Sequence, residues 1–236
     1  MSNLFRHFRP WKELLQIFFP RNCCCCGKEL VGDEQMICLE CLAHLPFTNY
    51  SRIPNNATEQ CFMGRFPFEA ATSFLRFSQG NSTQQILHQI KYYDNYPMAK
   101  TFGKMMGEDL CDSHRFDNVD LLIPVPLHHK KEWQRGYNQS LLLCQAIAEE
   151  FPRPISTQTL YRITHTESQT SKNREQRMEN LQQVFRLRDS KRIEGKHILL
   201  IDDVITTGAT TSECCKELLK APGVKISIAS LAIANR

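Results

Sequence analysis

The stretch His197-Ile-Leu-Leu-Ile-Asp-Asp-Val-Ile-Thr-Thr-Gly-Ala-Thr-Thr211 passes from an apolar run into two adjacent acids and then a turn rich in threonine and glycine. An apolar run bounded by turn residues is the pattern of a strand buried on both faces, here expected over 197–204. The turn opens a helix expected over 211–220, whose first N–H groups and dipole suit a phosphate. Thr206, Thr207, Thr210 and Thr211 add hydroxyl donors, and Gly208 lets the backbone come close to an oxyanion. Asp202 and Asp203 would repel that phosphate. Their partners must be donors or positive: sugar hydroxyls, a metal ion or a developing cation.

Working outward, apolar strands are expected at 70–77, 119–125, 160–163, 184–187 and 225–233. Helices are expected at 82–92, capped by Asn81 or Ser82, and at 97–110 and 139–151. Strands alternating with helices give an α/β fold, a doubly wound parallel sheet, in which ligands sit at the carboxyl ends of strands. No Gly-x4-Gly-Lys-Ser/Thr or Gly-x-Gly-x-x-Gly pattern supports an ATPase or a dinucleotide site.

An acid pair alone is common at helix caps and Mg²⁺ sites, but joined to Thr-Thr-Gly-x-Thr at this spacing it is specific. Ile198–Ile201, Asp202, Asp203, Val204, Ile205, Thr206, Thr207, Gly208, Ala209 and Thr210 resemble the full signature of the type I phosphoribosyltransferases. The resemblance implies that the acids hold the 2- and 3-hydroxyls of phosphoribosyl pyrophosphate (PRPP), which carries Mg²⁺, and that Thr206–Thr210 cradles its 5-phosphate.

Two further constellations stand near strand ends. Leu121-Leu-Ile-Pro-Val-Pro-Leu127 runs into His128, His129, Lys130 and Lys131, then Arg135-Gly-Tyr-Asn-Gln139. A strand feeding a basic, glycine-containing loop before a helix reads as a second anion site. Asn138 and Gln139 are placed to cap the helix, and Arg135 to reach a pyrophosphate. As charge alone the same stretch is a solvated loop. The tract Gln169-Thr-Ser-Lys-Asn-Arg174-Glu-Gln-Arg177-Met-Glu-Asn180 reads as a flap carrying Arg174 and Arg177, or equally as an exposed charged helix.

Near the other end, Cys23, Cys24, Cys25 and Cys26 are followed by Gly27 and then Cys38-Leu-Glu-Cys41. Two Cys-x2-Cys knuckles, Cys23/Cys26 and Cys38/Cys41, close a tetrahedral four-thiolate shell, the preferred structural Zn²⁺ geometry. Cys24 and Cys25 leave the register of the first pair open. Gly27 fits a turn with positive φ. Cys61, Cys111, Cys144, Cys214 and Cys215 are scattered and read as small buried hydrophobes.

The 236 residues suffice for one α/β domain and a small module, with 42% hydrophobic and 23% charged residues and a formal charge of +4. No run reaches the 18 or so apolar residues of a membrane span. Residues 4, 8, 11, 15 and 18 are apolar at helical spacing, so 1–20 is expected to form an amphipathic helix packed on the protein or on a membrane surface. It lacks the apolar core and cleavage site of a signal peptide, and with eleven cysteines the chain is expected to be cytoplasmic, its thiols binding metal. The expected organisation is this helix, a zinc module over 21–48, a polar connector about 49–59 and the α/β domain over 60–236.

The two knuckles, Lys91-Tyr92-Tyr93, Pro124-Val-Pro126, Arg135-Gly-Tyr-Asn-Gln139, the Gln169…Arg174…Arg177…Asn180 tract and the terminal signature together resemble the competence protein F (ComF) family, over nearly the whole chain. That family joins a four-cysteine zinc module to a phosphoribosyltransferase-like domain and is associated with DNA uptake in transformation. Two functions follow. One is phosphoribosyl transfer from PRPP to an unidentified nitrogen acceptor with release of pyrophosphate, in which Asp202, Asp203 and Arg135 act by electrostatics; no general base stands out. The other is a non-catalytic, PRPP-responsive protein that binds single-stranded DNA through its basic loops, with Trp133 and Tyr137 stacking on bases. A regulator that merely senses PRPP is a lesser reading.

Overall fold

A computed structural model describes residues 21–92, 96–163 and 184–234, with the side chains of 129–131 set aside. The helix expected over 1–20, Tyr93, and the tract with Arg174 and Arg177 lie outside the described residues. The chain divides after Leu45 into two units.

In the smaller unit, two tight turns bring the cysteines together. Gly27, at φ +74°, lets its N–H reach the Cys23 carbonyl, and Cys23 N–H donates to the Lys28 carbonyl. Asn22 and Glu29 form an antiparallel bridge beside this turn. Cys38 caps a one-turn helix, α1 (Leu39–Ala43), its sulfur accepting from Cys41 N–H. Among the described residues of the unit, Cys23, Leu30 and Cys38 form a buried cluster, with Cys25, Ile37 and Cys41 against them.

The larger unit begins with α2 (Ala57–Phe62), followed by β1 (Ala70–Phe77), α3 (Ser82–Tyr92), α4 (Tyr96–Ser113), β2 (Leu121–Pro124), α5 (His129–Arg135) and α6 (Gln139–Glu150). The short strands β3 (Leu160–Arg162) and β4 (Phe185–Leu187) pair antiparallel, a 3-10 turn spans Ser190–Arg192, and β5 (His197–Ile205), α7 (Ala209–Leu218) and β6 (Lys225–Ala234) complete it. The main sheet has the order β1-β6-β5-β2, every pair parallel, with Ile123 beside Leu200 and Leu200 beside Ile228.

Alternation along β5 sorts the two faces. Ile198 and Leu200 join the cluster that includes Cys214, Cys215 and Leu218 of α7. Leu199 and Ile201 point the other way, toward the side where α6 packs on β2 and β5. Helices therefore cover both faces, as in a doubly wound sheet. On the second face α4 approaches α6 closely: a Cβ on Gly103 would lie 2.4 Å from Ala146 Cβ. Cys61, Cys144, Cys214 and Cys215 are buried, as small hydrophobes are.

Two stretches differ from the sequence reading. The expected connector at 49–59 is part of the larger unit. Asn56 caps α2 and its amide donates to the carbonyls of Tyr50, Ile53 and Ala71, so an asparagine-rich stretch that reads as polar loop is an internal tie. Glu59, 5% exposed, pairs with Arg115. Secondly, the basic stretch after β2, read as a loop, holds a short helix, α5.

Candidate functional site

β5 lies between β6 and β2, so its carboxyl end and that of β2 open side by side; Val125 N–H still donates to the Ile201 carbonyl just beyond β2. The segments leaving these two ends form one cleft with a volume of about 210 Å³. Asp202, Asp203 and the whole run Thr206–Thr211 line it, and Arg135 faces them from the second segment.

Gly208 sits at φ +72° as the residue before α7. Its N–H and those of Thr210 and Thr211 have no acceptor among the described residues, while Ala209 N–H makes a 3.4 Å contact with Thr207 Oγ1. These donors open the N-terminal end of α7, a concave set of N–H groups that matches an anion. The back of the loop is tight. A Cβ on Gly208 would lie 2.8 Å from Phe62 and 2.9 Å from the Cys61 sulfur, so glycine is required by packing as well as by φ.

The two acids differ in setting. Asp202 is 7% exposed and accepts from the Thr211 hydroxyl at 3.0 Å, the Ser140 hydroxyl at 3.4 Å and Asp203 N–H at 2.9 Å. Burial, and then the neighbouring Asp203 charge, push its carboxyl up to about 7, against the pull of these hydrogen bonds and of Lys91. Asp203 is less buried and forms an ion pair with Lys91 of α3 at 3.1 Å. Both acids line the cleft, Asp202 with its carboxyl pushed up by burial and Asp203 held by a cation.

Arg135 lies over the Tyr92 ring, 5.3 Å from its centroid, and donates to Gln139 Oε1 at 3.0 Å. Because a guanidinium only donates, the oxygen of Gln139 is thereby occupied and its Nε2 faces elsewhere. That Nε2 is buried with no partner among the described residues, although Gln139 lines the cleft. A buried donor left unmade costs about 1–3 kcal/mol. Asn138 does not line the cleft. Its oxygen caps α6 at Ser140 and Leu141 N–H, and its Nδ2 donates to the Val125 carbonyl. Tyr137, expected as a stacking surface, is 7% exposed with its hydroxyl donating to the Ile90 carbonyl, while Trp133 is 87% exposed.

The sequence does not single out as site residues several side chains that line the cleft, among them Lys91, Gln139, Ser140 and Arg162. Lys91 and Gln139 stood in quoted motifs, yet nothing local distinguishes them from a surface lysine or a helix cap. Arg162, on β3 over Phe185, carried no signal at all.

In the smaller unit the sulfurs of Cys23, Cys26, Cys38 and Cys41 all lie within 4.8 Å of one another, with Cys26 and Cys38 at 3.7 Å. Sulfurs on a tetrahedral zinc ion, with Zn–S about 2.3 Å, stand about 3.8 Å apart, so the group fits such a metal. The spare pair, Cys24 and Cys25, lies outside the group with sulfurs 3.6 Å apart. Against the desolvation of its burial, N–H donors from Cys38, Cys26 and Cys25 pull the Cys23 thiol down to about 6, toward the thiolate a metal binds. Desolvation and the other thiols push Cys41 far up.

Residues 138–236 match the phosphoribosyl transferase domain family. Competence protein F of Haemophilus influenzae is 32% identical over 151 residues, 62% of this chain and 66% of that protein. DNA utilization protein YhgH of Salmonella typhi is 30% identical over 146 residues, 61% of this chain and 63% of that one, so the chain spans a little under two thirds of these two relatives. The protein of the same name from Escherichia coli K12 is 25% identical over 209 residues, 87% of each chain. A four-cysteine cluster ahead of a parallel-sheet domain with the Asp-Asp…Thr-Thr-Gly cleft, together with these relatives, places the chain in the competence protein F family.

Proposed function

We propose that the cleft binds PRPP with Mg²⁺ and transfers its phosphoribosyl group to a nitrogen acceptor, releasing pyrophosphate. The observation that carries this reading is the single cleft lined by Asp202, Asp203, the Thr206–Thr211 loop and Arg135, with open N–H groups on one side and acids on the other. In it the 5-phosphate takes the N–H groups of Gly208, Thr210 and Thr211. Asp202 and Asp203 accept from the ribose 2- and 3-hydroxyls, and Arg135 takes pyrophosphate oxygens.

The transfer breaks the bond from ribose C1 to pyrophosphate, whose oxygen leaves with the electron pair. The acceptor nitrogen forms the new bond to C1 and loses a proton to solvent. Positive charge grows on the ribose ring between these events, and the two acids favour it by electrostatics, with no dedicated base. Mg²⁺, when bound with PRPP, would offset the pyrophosphate charge. Arg174 and Arg177 complete the proposed phosphate contacts. In the smaller unit Cys23, Cys26, Cys38 and Cys41 hold a structural Zn²⁺.

The alternative, a PRPP-responsive binder of single-stranded DNA, loses Tyr137 as a stacking face because it is buried but keeps the exposed Trp133. The test is pyrophosphate release from PRPP and Mg²⁺ with a panel of nucleobases and amines. Acceptor-dependent release supports transfer. PRPP binding without release, joined to steeply salt-dependent retention of single-stranded DNA, would overturn it in favour of the second reading.

A further inference from the structure

The proposed phosphate contacts depend on where the N–H groups of a short loop point. A residue far away in sequence bears on that orientation. Arg65 lies outside the stretch that matches the phosphoribosyl transferase family and does not line the cleft. Its Nη1 donates to the Thr207 carbonyl at 2.8 Å and reaches Ser212 Oγ in the first turns of α7 at 3.5 Å. The carbonyl and N–H of one trans peptide point in opposite directions. With the Thr207 carbonyl turned to Arg65, the Gly208 N–H of the same peptide is turned away from it. Gly208 itself lines the cleft and its N–H has no acceptor among the described residues.

The strut is itself held. Gly64, at φ +72°, ends α2, and Arg65 N–H closes the turn on the Phe62 carbonyl at 3.0 Å. Phe62, Phe66 and Phe68 stack around this turn with centroids 5.5–6.4 Å apart. Phe62 also fills the space behind Gly208. The guanidinium therefore leaves a turn anchored in the core, and Gly208 rests on the same aromatic group.

We infer that Arg65 is a positioning residue: it fixes the Thr207–Gly208 peptide so that the loop presents its N–H groups to an anion. Arg65 touches no ligand in this account. The inference deepens the phosphate reading of the loop and rests on it for the ligand, but the orientation of the peptide is testable without one.

The experiment compares the full chain with Arg65→Met, which keeps length but donates nothing, and Arg65→Lys, which keeps a donor. Backbone amide resonances and order of residues 206–211 are followed by NMR, and ribose 5-phosphate is titrated into each protein. In Arg65→Met the Gly208 and Ala209 amides are expected to shift and lose order while the melting temperature holds. Ribose 5-phosphate affinity should fall about tenfold, the loss of one charge-assisted hydrogen bond, and Arg65→Lys should restore most of it. Unmoved 206–211 resonances in Arg65→Met would overturn the inference. If the unaltered protein takes up no ribose 5-phosphate, the ligand proposed above fails, and the loop resonances still decide the role of Arg65.

Discussion

The two units solve the same problem, holding a loop in a fixed shape, by opposite means. In the cysteine unit, among the described residues, the turns at 23–27 and 38–41 bury Cys23, Leu30 and Cys38 between them, so the cluster of sulfurs is nearly the whole of that core. In the larger unit the 206–211 loop is carried by a strand with fully buried Ile198, Leu199, Leu200 and Ile201 and is packed from behind by Phe62. A chain segment of some 25 residues cannot bury enough apolar surface to order itself, and metals usually supply the deficit. The first unit should accordingly stand or fall with its metal, and the second with its packing.

The largest effect expected is on the first unit. Removing metal with a chelator, or Cys38→Ser, should unfold residues 21–45 and leave the melting of the larger unit unchanged. Amide exchange read separately over the two stretches checks this, and a chelated protein still protected at 21–45 would break the comparison. The converse is Leu200→Ala, which opens a cavity in a residue with no exposure. It should cost about 2–5 kcal/mol in the larger unit without lowering zinc content by elemental analysis.

Within the cleft, Arg135→Leu should weaken PRPP about ten- to hundredfold and ribose 5-phosphate little, because the charge is assigned to the pyrophosphate. Equal losses in calorimetric titration would move Arg135 away from it. The smallest effect is on stability. The Asp202 carboxyl has its folded value raised to about 7, so its favourable contribution is complete below the ordinary carboxylate range and is lost as pH rises through 7. Asp202→Asn should therefore raise the melting temperature of the ligand-free protein at pH 8 by about 2–5 °C. The advantage should vanish near pH 5, where the native carboxyl is already protonated. A variant less stable at both pH values would contradict the assigned burial cost.

The strand-acid-loop segment was readable because its signals are local: apolar run, acids and turn residues lie within 197–211, and β5 and α7 formed there. The knuckle spacing was equally local. Cys23 and Cys26 could be separated from Cys24 and Cys25 only by position in space. What escaped was assembled from a distance. Lys91 meets Asp203 from α3, and Arg162 reaches the cleft from β3. α2 was hidden because asparagines mark loops in general, whereas Asn56 uses its amide to join three backbone segments. Tyr137 misled for a related reason: an aromatic between Gly136 and Asn138 looks exposed, yet its ring packs against Tyr96 at 5.1 Å.

The central claim, that the cleft of Asp202–Thr211 takes a phosphorylated ribose, is tested most directly by calorimetric titration of PRPP with Mg²⁺. The unaltered protein should bind and the folded double variant Asp202→Asn, Asp203→Asn should not. Equal binding by both proteins, or none by a folded, zinc-loaded unaltered protein, would contradict it.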